Sequence, residues 1–191
     1  MNTDITNPRF PSLHVEDAPA GSRPFIAASA KQFGFLPSPI AKAAGSPPLL
    51  GYLLQGFRAF DASSLSPIER EVLALTVAFV NRCGYCVALH STLLSRDEQQ
   101  RGLVGALREG RALDDPRLEA LRRLTVTILE RRARIDDASL EAFYAAGYTR
   151  TNALDVMLGV GVYVLSTYVN VFTEAELDAP FEPQRWSPPA G

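Results

Sequence analysis

Apolar residues recur every three or four positions along most of this chain, and proline- or serine-led starts divide the pattern into helices. "SPIAKAAG" predicts a short helix that stops at Gly45. "SPPLLGYLLQGFRAFDA" restarts with Ser46 as N-cap and a proline at the first helical position. "SPIE" follows as a complete capping box, with Ser66 as N-cap, Pro67 at N1 and Glu69 at N3. That helix runs through "REVLALTVAFV" until Asn81 and Gly84 weaken it, and "YCVALHSTLL" begins another. Further helices are predicted in "DEQQRGLVGALREG", in "DPRLEALRRLTVTILERRAR" and in "DASLEAFYAAG", the last ended by Gly147. "RTNALDVMLGVGVYVLSTYVNVF" closes the series, capped by Thr149. No alternating run with a hairpin turn is present, so the pattern predicts an all-α single domain.

Both ends fall outside the pattern. Residues 1–35 carry prolines and glycines without a sustained period and are expected to form an extended N-terminal arm. The helical domain spans 36–178, and the proline-rich tail 179–191 is expected to be extended, pinned to the body or to another subunit by Trp186. The helices at 67–81 and 151–172 are more apolar than their neighbours can cover, which predicts burial between subunits.

The 191 residues are 47% hydrophobic and 21% charged, with a net charge of −2, as in an ordinary globular protein. That balance predicts no nucleic-acid partner, and the arginines of "LRRLTVTILERRAR" read as a solvated helix face. The N-terminus has neither a basic nor an apolar signal region. The longest uncharged run, 157–173, is short for a membrane span. No membrane association and a cytoplasmic location are expected, where a structural disulfide is disfavoured.

In that setting "CGYCVALH" carries the candidate chemistry. It holds both cysteines, Cys83 and Cys86, and His90, one of two histidines. Two cysteines scattered at random would fall three apart only about 1% of the time. On a helix, positions 83, 86 and 90 share a face. A start near Gly84 would put both sulfurs in the field of the helix N-terminus, which favours the reactive thiolate. A second thiol can trap a sulfenic acid as a disulfide. Glu71 would be about 18 Å from Cys83 on one straight helix. A reversal near residue 82 instead brings it beside His90, where a carboxylate fixes the tautomer and strengthens the base. The reading is a chain from Glu71 to His90 to Cys86, with Cys83 as partner thiol. Tyr85 reads as packing or as a wall of the substrate pocket, and Asn170 as a hydrogen-bonding core residue. The alternatives are two small core cysteines, or a zinc site completed by Glu71 or His14. A c-type haem would need a histidine directly after Cys86, where Val87 stands.

The segment "EREVLALTVAFVNRCGYCVALH" resembles the signature of the AhpD-like, or carboxymuconolactone decarboxylase, superfamily. Its peroxidase-related branch has Glu, eleven residues, CxxC, and His four residues on, in register with Glu71, Cys83, Cys86 and His90. "GFLPSPIAKAAGSPPLL", "DPRLEALRRLT" and "AAGYTRTNALDVMLGVGVYVLSTYVN" agree as well, so the resemblance spans roughly 33–178. It implies an AhpD-like helical bundle assembled as a homo-oligomer (dimer, trimer or hexamer). It also implies a thiol peroxidase without metal or other cofactor, acting on small hydroperoxides and recycled by a dithiol or protein reductant. Cys86 would be the cysteine that peroxide oxidises, Cys83 the resolving cysteine, and Glu71 with His90 the proton relay. Tyr85 stands where AhpD carries a histidine, which shortens the relay. The remaining function classes are a lactone decarboxylase using His90 as acid/base and a non-enzymatic thiol redox sensor.

Overall fold

Capping side chains set where most helices begin. In the computed structural model, which describes residues 9–189, Ser46 Oγ accepts the Leu49 N–H at 3.4 Å, opening one helix. Ser66 Oγ accepts the Glu69 N–H at 3.3 Å while Glu69 Oε2 accepts the Ser66 N–H at 2.7 Å, the reciprocal box expected from the sequence. Thr149 and Asn152 repeat that exchange at the last helix. Among the described residues the elements are α1 (Arg23–Phe33), α2 (Ser38–Ala43), α3 (Pro47–Asp61), α4 (Pro67–Val80), α5 (Gly84–Leu94), α6 (Arg101–Arg108), α7 (Pro116–Arg131), α8 (Asp137–Ala145) and α9 (Arg150–Phe172), with no strand. The fold is therefore all-α.

α4 is the central rod, packed by α5, α7 and α9. Val72, Leu73, Leu75 and Val77 are completely buried on it, and Phe60, Val87, Leu121 and Val156 pack into the same core. The expectation that α4 needs another subunit is corrected here, because helices distant in sequence wrap it within one chain. Close approach of α9 requires Gly159: a Cβ there would sit 2.5 Å from the Phe60 ring and 2.9 Å from Leu73. α9 is long and apolar enough to cross a bilayer by length and composition. It packs instead on α3 and α4 and buries Asn152, Thr167 and Asn170. Among the described residues its outer face stays largely uncovered, with Leu154 and Phe172 72% and 71% exposed.

Two expectations at the chain ends are corrected. The arm read as extended contains α1, which has a proline in its first turn and Gly34 in the left-handed region at its end. Ile26 on α1 packs with Leu50 of α3, burial that a short amphipathic stretch does not announce locally. Residues 1–8 of that arm lie outside the described residues. The tail is not simply extended either, for Ala179–Gln184 forms a 3-10 helix with Phe181 buried. Trp186 does anchor it to the body: Nε1 donates to the Arg108 carbonyl at 3.0 Å and the ring meets Phe79.

Candidate active site

The site is assembled at the tight turn between α4 and α5. Arg82 adopts a left-handed φ of 55°. The Arg82 N–H bonds to the Phe79 carbonyl and the Cys83 N–H to the Ala78 carbonyl, each at 3.0 Å. This is the Schellman termination, with arginine where glycine is usual. The residue that closes α4 also opens α5, for Cys83 is the N-cap of α5 and its sulfur accepts the Cys86 N–H at 3.4 Å. Cys83 is thus not a helical residue, as the shared-face argument assumed. Both sulfurs nevertheless meet at the helix N-terminus, 2.6 Å apart as free thiols with an S–H between them.

The reversal also brings Glu71 to His90, as the hairpin argument required, with Oε2 2.9 Å from Nδ1. The carboxylate keeps the proton of neutral imidazole on Nδ1 and leaves Nε2 as the free base. Tyr163 of α9 holds the imidazole edge-on, ring centroids 5.2 Å apart. His90 makes no hydrogen bond to either sulfur, so the last leg of the expected chain is not direct. The Cys86 sulfur is instead met by Asn170, whose Nδ2 donates at 3.2 Å from α9. From the sequence alone Asn170 reads as a hydrogen-bonding core amide. Its only local signal is an amide on the inward face of an apolar helix.

The S–H of Cys86 beside Cys83 pulls the Cys83 thiol below its ordinary value, against the effect of burial, and the Cys86 N–H adds to this. Burial pushes the Cys86 thiol well up, and the charge of Cys83 opposes its ionisation further. The more acidic thiol of the closed pair is therefore Cys83, although Cys86 is one turn from His90. Cys83 and Cys86 are 1% and 3% exposed.

Tyr85 is turned toward the C-terminal tail. Its hydroxyl donates to Asp178 Oδ2 at 2.7 Å and its ring packs edge-on against Phe181. Burial, then the Asp178 carboxylate, drives the phenol far above its usual range, so it stays protonated. The tail thus lies against the start of the reactive helix, so close that a Cβ on Gly84 would come 3.0 Å from the Trp186 carbonyl oxygen. Arg108 holds the tail there through the carbonyls of Gln184 and Arg185. Clefts of about 470 Å³ beside Glu69 and Arg117 and about 320 Å³ beside Asn81 and Tyr168 are lined by none of Glu71, Cys83, Tyr85, Cys86 or His90. His14 sits in a turn of the N-terminal segment, its carbonyl accepting the Ala18 N–H at 2.9 Å. Among the described residues no group of three or more His, Cys, Asp and Glu side chains is arranged to hold a metal ion.

The model of the carboxymuconolactone decarboxylase family matches residues 48–125, which run from α3 into α7 and include Glu71, both cysteines and His90. An uncharacterized peroxidase-related protein from Ralstonia eutropha JMP134, described as an alkylhydroperoxidase AhpD core, has a TM-score of 0.81 at 21% identity, covering 91% of this chain and 93% of that one. Another peroxidase-related protein, from Silicibacter sp. TM1040, gives 0.77 at 19% identity, with 94% and 97% covered. The debrominase Bmp8, as a cysteine-to-alanine variant in complex with 2,3,4-tribromopyrrole, gives 0.70 at 21% identity, with 96% of both chains covered. No curated protein matches the sequence. The fold is the all-helical AhpD-like fold. Residues 48–125 match the carboxymuconolactone decarboxylase family model, and the chain as a whole shares the fold of the AhpD-like structures.

Proposed function

We propose that this chain is a thiol-dependent peroxidase that reduces small hydroperoxides through the Cys83–Cys86 pair. The observation that carries the reading is the contact of two free thiols at a helix N-terminus, 2.6 Å apart, beside a histidine already bound to a carboxylate. A sulfur as thiolate attacks the terminal oxygen of the hydroperoxide, the O–O bond breaks, and the alcohol leaves after taking a proton. The sulfenic acid so formed is attacked by the other sulfur, giving a disulfide and water. Glu71 and His90 carry the protons, with Nε2 as the site that exchanges them. A dithiol or protein reductant returns the disulfide to two thiols. The burial of both sulfurs implies that a local opening admits the peroxide. The largely uncovered apolar face of α9 supports assembly with further copies of the chain.

The test is a titration of reduced protein with one equivalent of cumene hydroperoxide, followed by intact mass and thiol count, on wild type, Cys83→Ser and Cys86→Ser. Expected are rapid loss of two thiols in wild type, sulfenic acid accumulating in Cys83→Ser, and little reaction in Cys86→Ser. Reaction no faster than a free thiol in all three sinks the peroxidase reading. Slow single oxidation without turnover by a dithiol points to a redox sensor, and lactone turnover that survives Cys86→Ser points to the decarboxylase class. Tribromopyrrole, the molecule bound by the debrominase, serves as the competing electrophile. Debromination faster than peroxide reduction would move the assignment to reductive dehalogenation.

A further inference from the structure

Asn170 reaches the redox pair from 84 positions further along the chain, and its amide is the only side-chain donor besides Cys83 within hydrogen-bond distance of the Cys86 sulfur among the described residues. A dithiol that has lost one proton keeps one S–H and one charge, and here the charge has two places to sit. On Cys83 it is held by the Cys86 N–H at 3.4 Å and by the S–H of Cys86. On Cys86 it is held by the Asn170 amide at 3.2 Å and by the S–H of Cys83. Moving from one arrangement to the other needs only a proton shift across the sulfur–sulfur contact. The first arrangement is built mainly locally, from the cap of α5, with a smaller contribution from Asn170. The second depends on α9.

The position of Asn170 is rigid. It is 7% exposed, and its backbone carbonyl accepts the Ala175 N–H at 2.9 Å in a second Schellman turn, whose left-handed residue is Glu174. A donor held in this way needs no reorganisation when charge develops on the sulfur it faces. We propose that Asn170 is a catalytic residue that holds negative charge on Cys86 and thereby makes Cys86 the attacking sulfur, leaving Cys83 to resolve. The inference rests on the thiol-peroxidase reading for its oxidant. Cys86 thiolate attacks the terminal oxygen of the hydroperoxide, the O–O bond breaks, and the alkoxide takes the relay's proton to leave as alcohol. Cys83 then attacks the Cys86 sulfur as the S–O bond breaks and water leaves. Two thiols and one hydroperoxide become one disulfide, one alcohol and one water.

Burial works against ionisation of Cys86 and the pair's own contact favours Cys83; the Asn170 amide favours the anion of either sulfur, but it is Cys86 that it meets in a hydrogen bond, at 3.2 Å. The other titratable groups that bear on the pair are Tyr85 on α5 and Tyr163 on α9, both kept protonated by burial, with His90 on α5, Glu71 on α4 and Asp178 behind Tyr85.

The experiment reads each sulfur alone. Asn170→Ala and Asn170→Asp are each made in the Cys83→Ser and Cys86→Ser backgrounds, and folding is checked by circular dichroism and melting temperature. Iodoacetamide alkylation is followed against pH, and reaction with cumene hydroperoxide is followed alongside. In the Cys83→Ser background, Asn170→Ala should raise the apparent Cys86 pKa by about one unit and slow the peroxide reaction about tenfold, the worth of one hydrogen bond to a charged group. Asn170→Asp, of equal size but without the donor, should slow it further. In the Cys86→Ser background the shift at Cys83 should be in the same direction but clearly smaller than at Cys86, since Asn170 contributes to Cys83 only behind its local donors, which remain. Equal shifts at both sulfurs, or no shift at Cys86 in the folded Asn170→Asp protein, overturn the proposal. If alkylation shifts as expected but no variant consumes peroxide, the peroxidase reading falls while the assignment of Asn170 stands.

Discussion

Glu71 and His90 form the one carboxylate–imidazole pair among the described residues, and their 2.9 Å contact leaves Nε2 free to exchange protons. Replacing Glu71 with Gln keeps an oxygen near Nδ1 but removes the negative charge beside the proton-carrying imidazole. Peroxide reduction should fall at least about tenfold, within the range for losing acid–base assistance, while melting temperature stays nearly constant; stopped-flow oxidation of both proteins checks this. Cys83 carries a different expectation. Its thiol lies below the ordinary value because the Cys86 S–H and N–H hold its anion. The thiolate is therefore present at a pH below the usual thiol range, and alkylation should persist as pH falls through about 8.5. Cys86→Ala removes the larger of those donors, so the alkylation midpoint of Cys83 should move up. A midpoint that moves down would show that Cys83 is not stabilised by its partner.

Two devices at the level of elements hold the reactive turn in place. Upstream, the capping box of α4 joins Glu69 to Ser66, and Arg117 of α7 closes on the same carboxylate at 3.0 Å. Burial raises the Glu69 pKa, but the Ser66 bonds and Arg117 outweigh it and the net shift is downward. Such a group adds stability above its unfolded pKa, and that stability is lost as pH falls through the folded value. Glu69→Ala should cost about 1–2 kcal/mol near neutral pH, and the gap from wild type should narrow in acid below about pH 4; urea unfolding at several pH values measures both. Downstream, the tail is held on α5 through Phe181 and through the hydrogen bond from Tyr85 to Asp178. Phe181→Ala should destabilise by about 3 kcal/mol and speed labelling of the cysteines by a bulky maleimide. Unchanged labelling in a destabilised protein would mean that the tail supports the fold without controlling access.

At the scale of the molecule, one apolar surface is left largely uncovered by the described residues, with Phe10 against Phe172 at its end. Leu154, Met157, Leu158, Tyr168, Val171 and Phe172 follow helical spacing on the outer side of α9, and Gly161 between them has open space above it. A largely uncovered apolar stripe of that length is unusual for an isolated protein. Asn170 belongs to the same helix but faces inward, so an assembly on the outer side would cover α9 without touching the amide directly. Leu154→Asp combined with Val171→Asp should shift the protein from oligomer to monomer in sedimentation velocity and leave helix content unchanged. A wild type that is already monomeric would contradict the assembly reading.

Helix starts and the reversal at residue 82 were legible in the sequence because capping is local chemistry. Ser66, Glu69 and Thr149 find their partners three residues away, and the meeting of Glu71 with His90 follows from helix rise once the turn is placed. The spacing of Cys83, Cys86 and His90 likewise announced the reactive segment. Other features depend on contacts that no short window contains. α1 is helical in a stretch without a strong period because Ile26 packs with Leu50 of α3. Tyr85 turns toward Asp178, and Cys86 receives its amide from Asn170 near the far end of the chain. The acidity of each thiol then follows from which groups desolvate it and which donate to it. Local sequence specifies backbone conformation through partners a few residues apart, whereas the charge a buried sulfur can bear is set by whatever the folded chain brings against it.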